Sequence, residues 1–153
     1  AWAVATGRIV LISDGTPWRP QVHVDDVCSA FLAALDAPRE RVHDEAFNVG
    51  ITSENYQVRQ IAAIVGEVHP GAELQIPEAA GPDNRSYRVD FSKIADTLDG
   101  FRPSWTVRKG VEQLSAAFTT ARLGESDFPR YTRLAEIERN IGLGDLTESL
   151  TWR

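Results

Sequence analysis

Asp83-Asn84-Arg85-Ser86-Tyr87-Arg88-Val89-Asp90-Phe91-Ser92-Lys93-Ile94 is the stretch on which the fold turns. It places Arg85 and Arg88 on a short extended segment that runs into a helix opening at Asp90. Arginine presents a planar fork of N–H donors that suits phosphate oxygens. Trp18-Arg19-Pro20-Gln21-Val22-His23-Val24-Asp25-Asp26 repeats the design, with an arginine, a strand and then a capped helix. Two such arginines are suited to clamp a diphosphate. Strand alternation points Arg88 away from Arg85 and Tyr87, which leaves Arg88 on the surface. Tyr87, on the Arg85 face, is either a ligand contact or a core tyrosine.

Outward from these segments, strands and helices alternate, which argues α/β in one unit. Arg8–Ile12, Gln21–Val24, Ala46–Val49 and Glu73–Ile76 read as strands, and Ala79–Asn84 as a loop. The N-terminus reads as the last turns of a helix ending at Gly7, which implies that something precedes Ala1. A helix capped by Asp25 buries Val27, Ala30, Phe31, Ala34 and Leu35, and ends at Pro38. The next is capped by Asn55 or Ser53, carries Val58, Ile61, Ala62 and Val65, and ends at Gly66. Short and long helices follow, capped by Asp90 and Thr106; the long one carries Val107, Val111, Leu114, Phe118 and Ala121. A last helix is expected over 131–141. The expected division is a domain over 1–123 and a tail over 124–153.

The composition narrows the function. The 153 residues are enough for one domain with a core. A net charge of −6 excludes the broad basic face that general nucleic-acid binding needs, so any anion site is local. One cysteine, Cys28, allows no intramolecular disulfide, which fits a cytoplasmic setting. Cys28 reads as a small buried or half-buried residue, without a partner that would make it a nucleophile. No apolar run approaches the roughly 20 residues of a membrane span. His23 with Asp25 and Asp26 is read as a hydrogen-bonded strand-to-helix corner rather than a metal site.

Three segments, DGTPWRPQVHVDDV (14–27), EAFNVG (45–50) and DNRSYRVDFSKI (83–94) followed by GFRPSWTVRKGVEQL (100–114), occur in an order and spacing that resemble a known family. They look like the C-terminal half of an extended short-chain dehydrogenase/reductase, the NAD-dependent epimerase/dehydratase family that acts on nucleotide sugars. The resemblance spans about residues 7–122. It implies a small mixed sheet with flanking helices, without the N-terminal nucleotide-binding Rossmann half. It also implies that Arg19 and Arg85, with Tyr87 beside them, contact the diphosphate of a nucleotide sugar. Pro20 departs from the family's commoner aspartate, which bears on whatever would pair with Arg19.

The family's remaining signatures have no counterpart in this sequence. No Gly-x-x-Gly-x-x-Gly loop is present, and Tyr56, Tyr87 and Tyr131 are followed four residues on by Gln60, Phe91 and Ala135 rather than by lysine. The expectation is a chain with no catalytic residue, no metal and no cofactor of its own, NAD(P) being held only together with the missing half. Its partners would be a nucleotide sugar and either a separate Rossmann-bearing chain or a second copy. The alternative is a free-standing truncated relative that serves as a non-enzymatic binding or self-association module.

Overall fold

A computed structural model of the chain describes residues 1–76, 85–128 and 132–152. The loop expected at Ala79–Asn84, together with Asp83 and Tyr131, lies outside the described residues. Helix α1 (Trp2–Thr6) ends at Gly7, whose φ of 66° is the left-handed C-cap conformation glycine adopts without a Cβ penalty. Strand β1 (Arg8–Val10), strand β2 (Trp18–Pro20) and helix α2 (Val24–Asp36) follow, then α3 (Arg39–Val42), β3 (Asn55–Gln57), α4 (Val58–Val68), β4 (Glu73–Gln75), α5 (Ser92–Thr97), α6 (Val107–Ala121) and α7 (Arg133–Leu143).

Among the described residues, the expected single mixed sheet is instead two separate pairs. β1 runs parallel to β4, with Ile9 opposite Leu74, and β2 runs antiparallel to β3, with Arg19 opposite Tyr56. The strand expected over Gln21–Val24 is displaced to Trp18–Pro20. His23, not Asp25, caps α2: its ring nitrogen accepts from the Asp25 N–H, and the helix takes over already at Val24. The strand expected at Ala46–Val49 has no ladder partner among the described residues. Its Phe47 and Val49 pack against the core, and the Ala46 carbonyl accepts from the Lys93 ammonium.

Two small cores result. Ile9 and Leu11 pack with Ala62 beneath α4. Ala30 and Ala33 of α2 pack with Phe91, Ile94, Leu98 and Phe101. Three helix expectations change. The inward face of α2 carries Asp26, Ala30 and Ala33, while Phe31 and Leu35 are 69% and 81% exposed. Gly100 faces Ala33 here: a Cβ added at Gly100 would meet the Ala33 Cβ at 3.5 Å, an ordinary van der Waals contact. Helix α4 is capped by Gln57 through a reciprocal box with Gln60, not by Asn55 or Ser53. It runs through Gly66 to Val68.

EAFNVG ends at Gly50 because the Phe91 ring lies there. A Cβ on Gly50 would sit 2.8 Å from two ring carbons of Phe91, itself a buried core residue. Gly50→Ala should cost about 1–3 kcal/mol, the ordinary range for overpacking. Urea denaturation of the two proteins checks this, and an unchanged midpoint would show that the ring yields freely.

Candidate functional site

β2 has a partner on each edge. On one side it pairs with β3. On the other lies residues 85–89: the Tyr87 N–H donates to the Trp18 carbonyl at 3.3 Å, and the Trp18 N–H donates to the Ser86 hydroxyl at 3.0 Å. Asn55, at the end of β3, anchors the segment further along. Its amide accepts from the Val89 N–H and donates to the Val89 carbonyl, each at 2.9 Å, as a neighbouring strand would. Asn55 was missed as a positioning residue because its type also reads as a helix cap.

This arrangement brings the two predicted arginines together. The Arg19 guanidinium donates through Nη1 to the Arg85 backbone carbonyl and, at 2.8 Å, to the Trp18 carbonyl. Its carbon lies 5.8 Å from the centre of the Tyr87 ring, within cation–π range. Tyr87 is 55% exposed, so it is a surface tyrosine and not a core one. Arg88 is exposed, and its guanidinium lies over Trp18 at 4.6 Å. The arginine stacked on Trp18 is thus Arg88, while Arg19 faces Tyr87. Pro20 sits opposite Asn55 in the ladder.

The HVDD corner at residues 23–26 is structural. Asp26 is buried, and its two carboxylate oxygens accept from the Ser104 N–H at 3.0 Å and the Trp105 N–H at 3.1 Å. His23 stacks on Trp105 with ring centres 3.7 Å apart. With Nδ1 accepting from Asp25, the ring proton resides on Nε2, which donates to Gln113 at 2.7 Å. Cys28 is exposed on α2 and not buried. Asp90 stands two positions before α5, with Phe91 and not Asp90 at the cap position, and its carboxylate accepts from the Ser92 N–H and hydroxyl; the former bond is the main reason its pKa lies below the usual value.

Glu54 was also missed. This buried carboxylate accepts from the Val107 N–H at the start of α6 at 2.8 Å and from the Tyr56 hydroxyl at 3.3 Å. Burial, and then the Glu54 charge and hydrogen bond, push the Tyr56 pKa upward. Its phenol is therefore held protonated, the opposite of what a general base requires. A cleft of about 280 Å³ opens beside Glu54, His23, Trp105 and Leu114. Arg19, Arg85 and Tyr87 are not among its lining residues; they lie across the β2 edge.

Over residues 3–50 the chain matches the NAD dependent epimerase/dehydratase family. Solved structures extend the likeness beyond that segment. L-threonine dehydrogenase from Phytophthora infestans superposes with a TM-score of 0.64 at 18% identity, over 80% of this chain and 39% of that one. UDP-glucuronic acid 4-epimerase from Bacillus cereus, solved with UDP-glucuronic acid and NAD, gives 0.61 at 19% identity, over 74% and 36%. An NAD-dependent NDP-hexosamine 5,6-dehydratase of tunicamycin biosynthesis gives 0.62 at 15%, over 78% and 38%. At these identities the likeness is one of fold. The chain spans about two-fifths of the length of these three solved proteins. No helix among its described residues is long and apolar enough to cross a membrane.

Proposed function

We propose that this chain is the substrate-binding portion of an NAD-dependent epimerase/dehydratase-type enzyme, in which Arg19 and Arg85 contact the diphosphate of a nucleotide sugar. The observation that carries the proposal is the bond from the Arg19 guanidinium to the Arg85 backbone. It sets the Arg19 guanidinium against the backbone of a residue 66 positions on, which supports a diphosphate, with two anionic groups, engaging both arginines. Tyr87, exposed against Arg19, offers a ring face to the same ligand. Hydride transfer and its NAD(P) would belong to the portion that the relatives carry elsewhere in their length.

Arg85 gives a clean test, since its backbone carbonyl, not its side chain, receives Arg19. UDP at about 100 times its dissociation constant should stabilise the chain by about 2.7 kcal/mol, a rise of about 5–10 °C in Tm. Arg85→Ala should abolish the rise while leaving the ligand-free Tm within about 2 °C. L-threonine is the discriminating arm, because a single carboxylate needs only one arginine. A rise with L-threonine and none with UDP would replace the diphosphate by an amino acid, and no rise with UDP, UDP-glucuronic acid or L-threonine would sink the proposal.

A further inference from the structure

The cleft beside α6 has features that the arginine site does not use. Its walls are apolar, from Val22, Ile61, Trp105, Val111 and Leu114, and its volume of about 280 Å³ is near the lower end for small-molecule sites. Glu54, 6% exposed, lines the same cleft. A carboxylate can accept about four hydrogen bonds. That of Glu54 accepts two, one oxygen from the Val107 N–H at 2.8 Å and the other from the Tyr56 hydroxyl at 3.3 Å. A buried carboxylate ordinarily has a cation beside it, yet among the described residues none forms an ion pair with Glu54. Arg108, the next residue after Val107, is held by Glu67. The start of α6 supplies only about half a positive charge, so the carboxylate remains net negative. Gly110 lines the cleft from within α6, its N–H already bonded to the Thr106 carbonyl at 3.0 Å. A Cβ there would meet only His23, at an ordinary 3.9 Å. Glycine is a poor helix former, and packing within the chain does not require it here; what it provides is space in the cleft.

We propose that this cleft binds a compact organic cation, a primary amine carried on an aliphatic or aromatic body. The ammonium group brings three N–H donors to a carboxylate with unused acceptor positions. The resulting bond is charge-assisted and lies among apolar walls, where it is stronger than in water. The body of the ligand fills the space over Gly110, against Val111 and Leu114. An anion is excluded by the same carboxylate, and a neutral ligand gains only the apolar contact. Arg19, Arg85 and Tyr87 do not line this cleft, so binding here does not depend on whether they hold a nucleotide.

Calorimetric titration of the full chain with 2-phenylethylamine tests it, with 2-phenylethanol as a neutral body of the same shape. The amine should bind with a dissociation constant below about 1 mM, and the alcohol at least about tenfold more weakly. Glu54→Gln should weaken the amine about tenfold and leave the alcohol unchanged. Gly110→Leu fills the cleft with a good helix former and should abolish binding of both without lowering Tm. Gly110→Ala should raise Tm by about 1–4 °C and weaken the amine. Equal affinities for amine and alcohol, no binding of the amine up to about 10 mM, or amine binding untouched by Gly110→Leu would each overturn the proposal, the last by placing the cation elsewhere on an acidic chain. A lower Tm for Gly110→Ala would also overturn it, by making the glycine a requirement of the fold. If Glu54→Gln does not fold, the amine–alcohol comparison and Gly110→Leu decide.

Discussion

Leu98→Ala should unfold at a Tm about 6–12 °C below that of the unchanged chain. Leu98 is 1% exposed and closes the larger core with Ala30, Ala33, Phe91, Ile94 and Phe101. Its N–H donates to the Ile94 carbonyl and its carbonyl accepts from the Phe101 N–H, each at 2.9 Å. The backbone there is therefore held from both sides, so the neighbours cannot collapse far into a void. Truncating such a leucine costs about 3 kcal/mol, the transfer loss plus a cavity. Each kcal/mol lowers Tm by about 2–4 °C in a domain of this size. The loss is large against a typical total of about 5–15 kcal/mol, and here the core is divided between two small clusters. Leu114→Ala, on the half-exposed rim of the cleft, should stay within about 1 kcal/mol. Equal effects at the two positions would mean that Leu98 does not lie in a packed core.

Where local chemistry decides the outcome, the sequence was a good guide. Gly7 ends α1, and Thr106 caps α6 by accepting from the Lys109 N–H. Where an element depends on what packs against it, local signals misled. Phe31 and Leu35 fit the helical period of a buried stripe, but the period cannot say which of two apolar stripes meets the core, and the smaller alanines do. Ala46–Val49 has the residues of a strand, yet a strand exists only where a neighbour offers a ladder, and the described residues offer none.

The candidate site divides in the same way. Arg19, Arg85 and Tyr87 were singled out by residue type and by the family resemblance, and the fold sets Arg19 against the Arg85 backbone and the Tyr87 ring. Asn55, Asp26 and Glu54 were missed because each acts on backbone groups distant in sequence: Val89, Ser104 with Trp105, and Val107. Asn and Asp before a helix satisfy nearby N–H groups far more often than remote ones. The one local sign was the doubled acid Asp25-Asp26, since a single N-cap needs only one.

Asp25→Ala and Asp26→Ala are adjacent substitutions with sharply different expected costs. Asp25 is exposed in the first turn of α2. Its N–H is already capped by His23, so its carboxylate contributes mainly through the helix dipole, about 0.3–1 kcal/mol. Asp26 is 4% exposed and ties the loop before α6 to α2 through the Ser104 and Trp105 N–H groups. Each bond to a charged acceptor is worth about 1.5 kcal/mol or more net, and truncation leaves both donors without that acceptor. Asp26→Ala should therefore cost about 3 kcal/mol in urea denaturation and loosen Trp105 from its stack on His23, visible as lost near-ultraviolet circular dichroism. Asp26→Asn should fall between, because the amide keeps one acceptor oxygen and turns a donor towards the second N–H. Equal costs for Asp25→Ala and Asp26→Ala would count against the buried carboxylate as the link between α2 and α6. A large cost for Asp25→Ala alone would restore it as the helix cap that the sequence first implies.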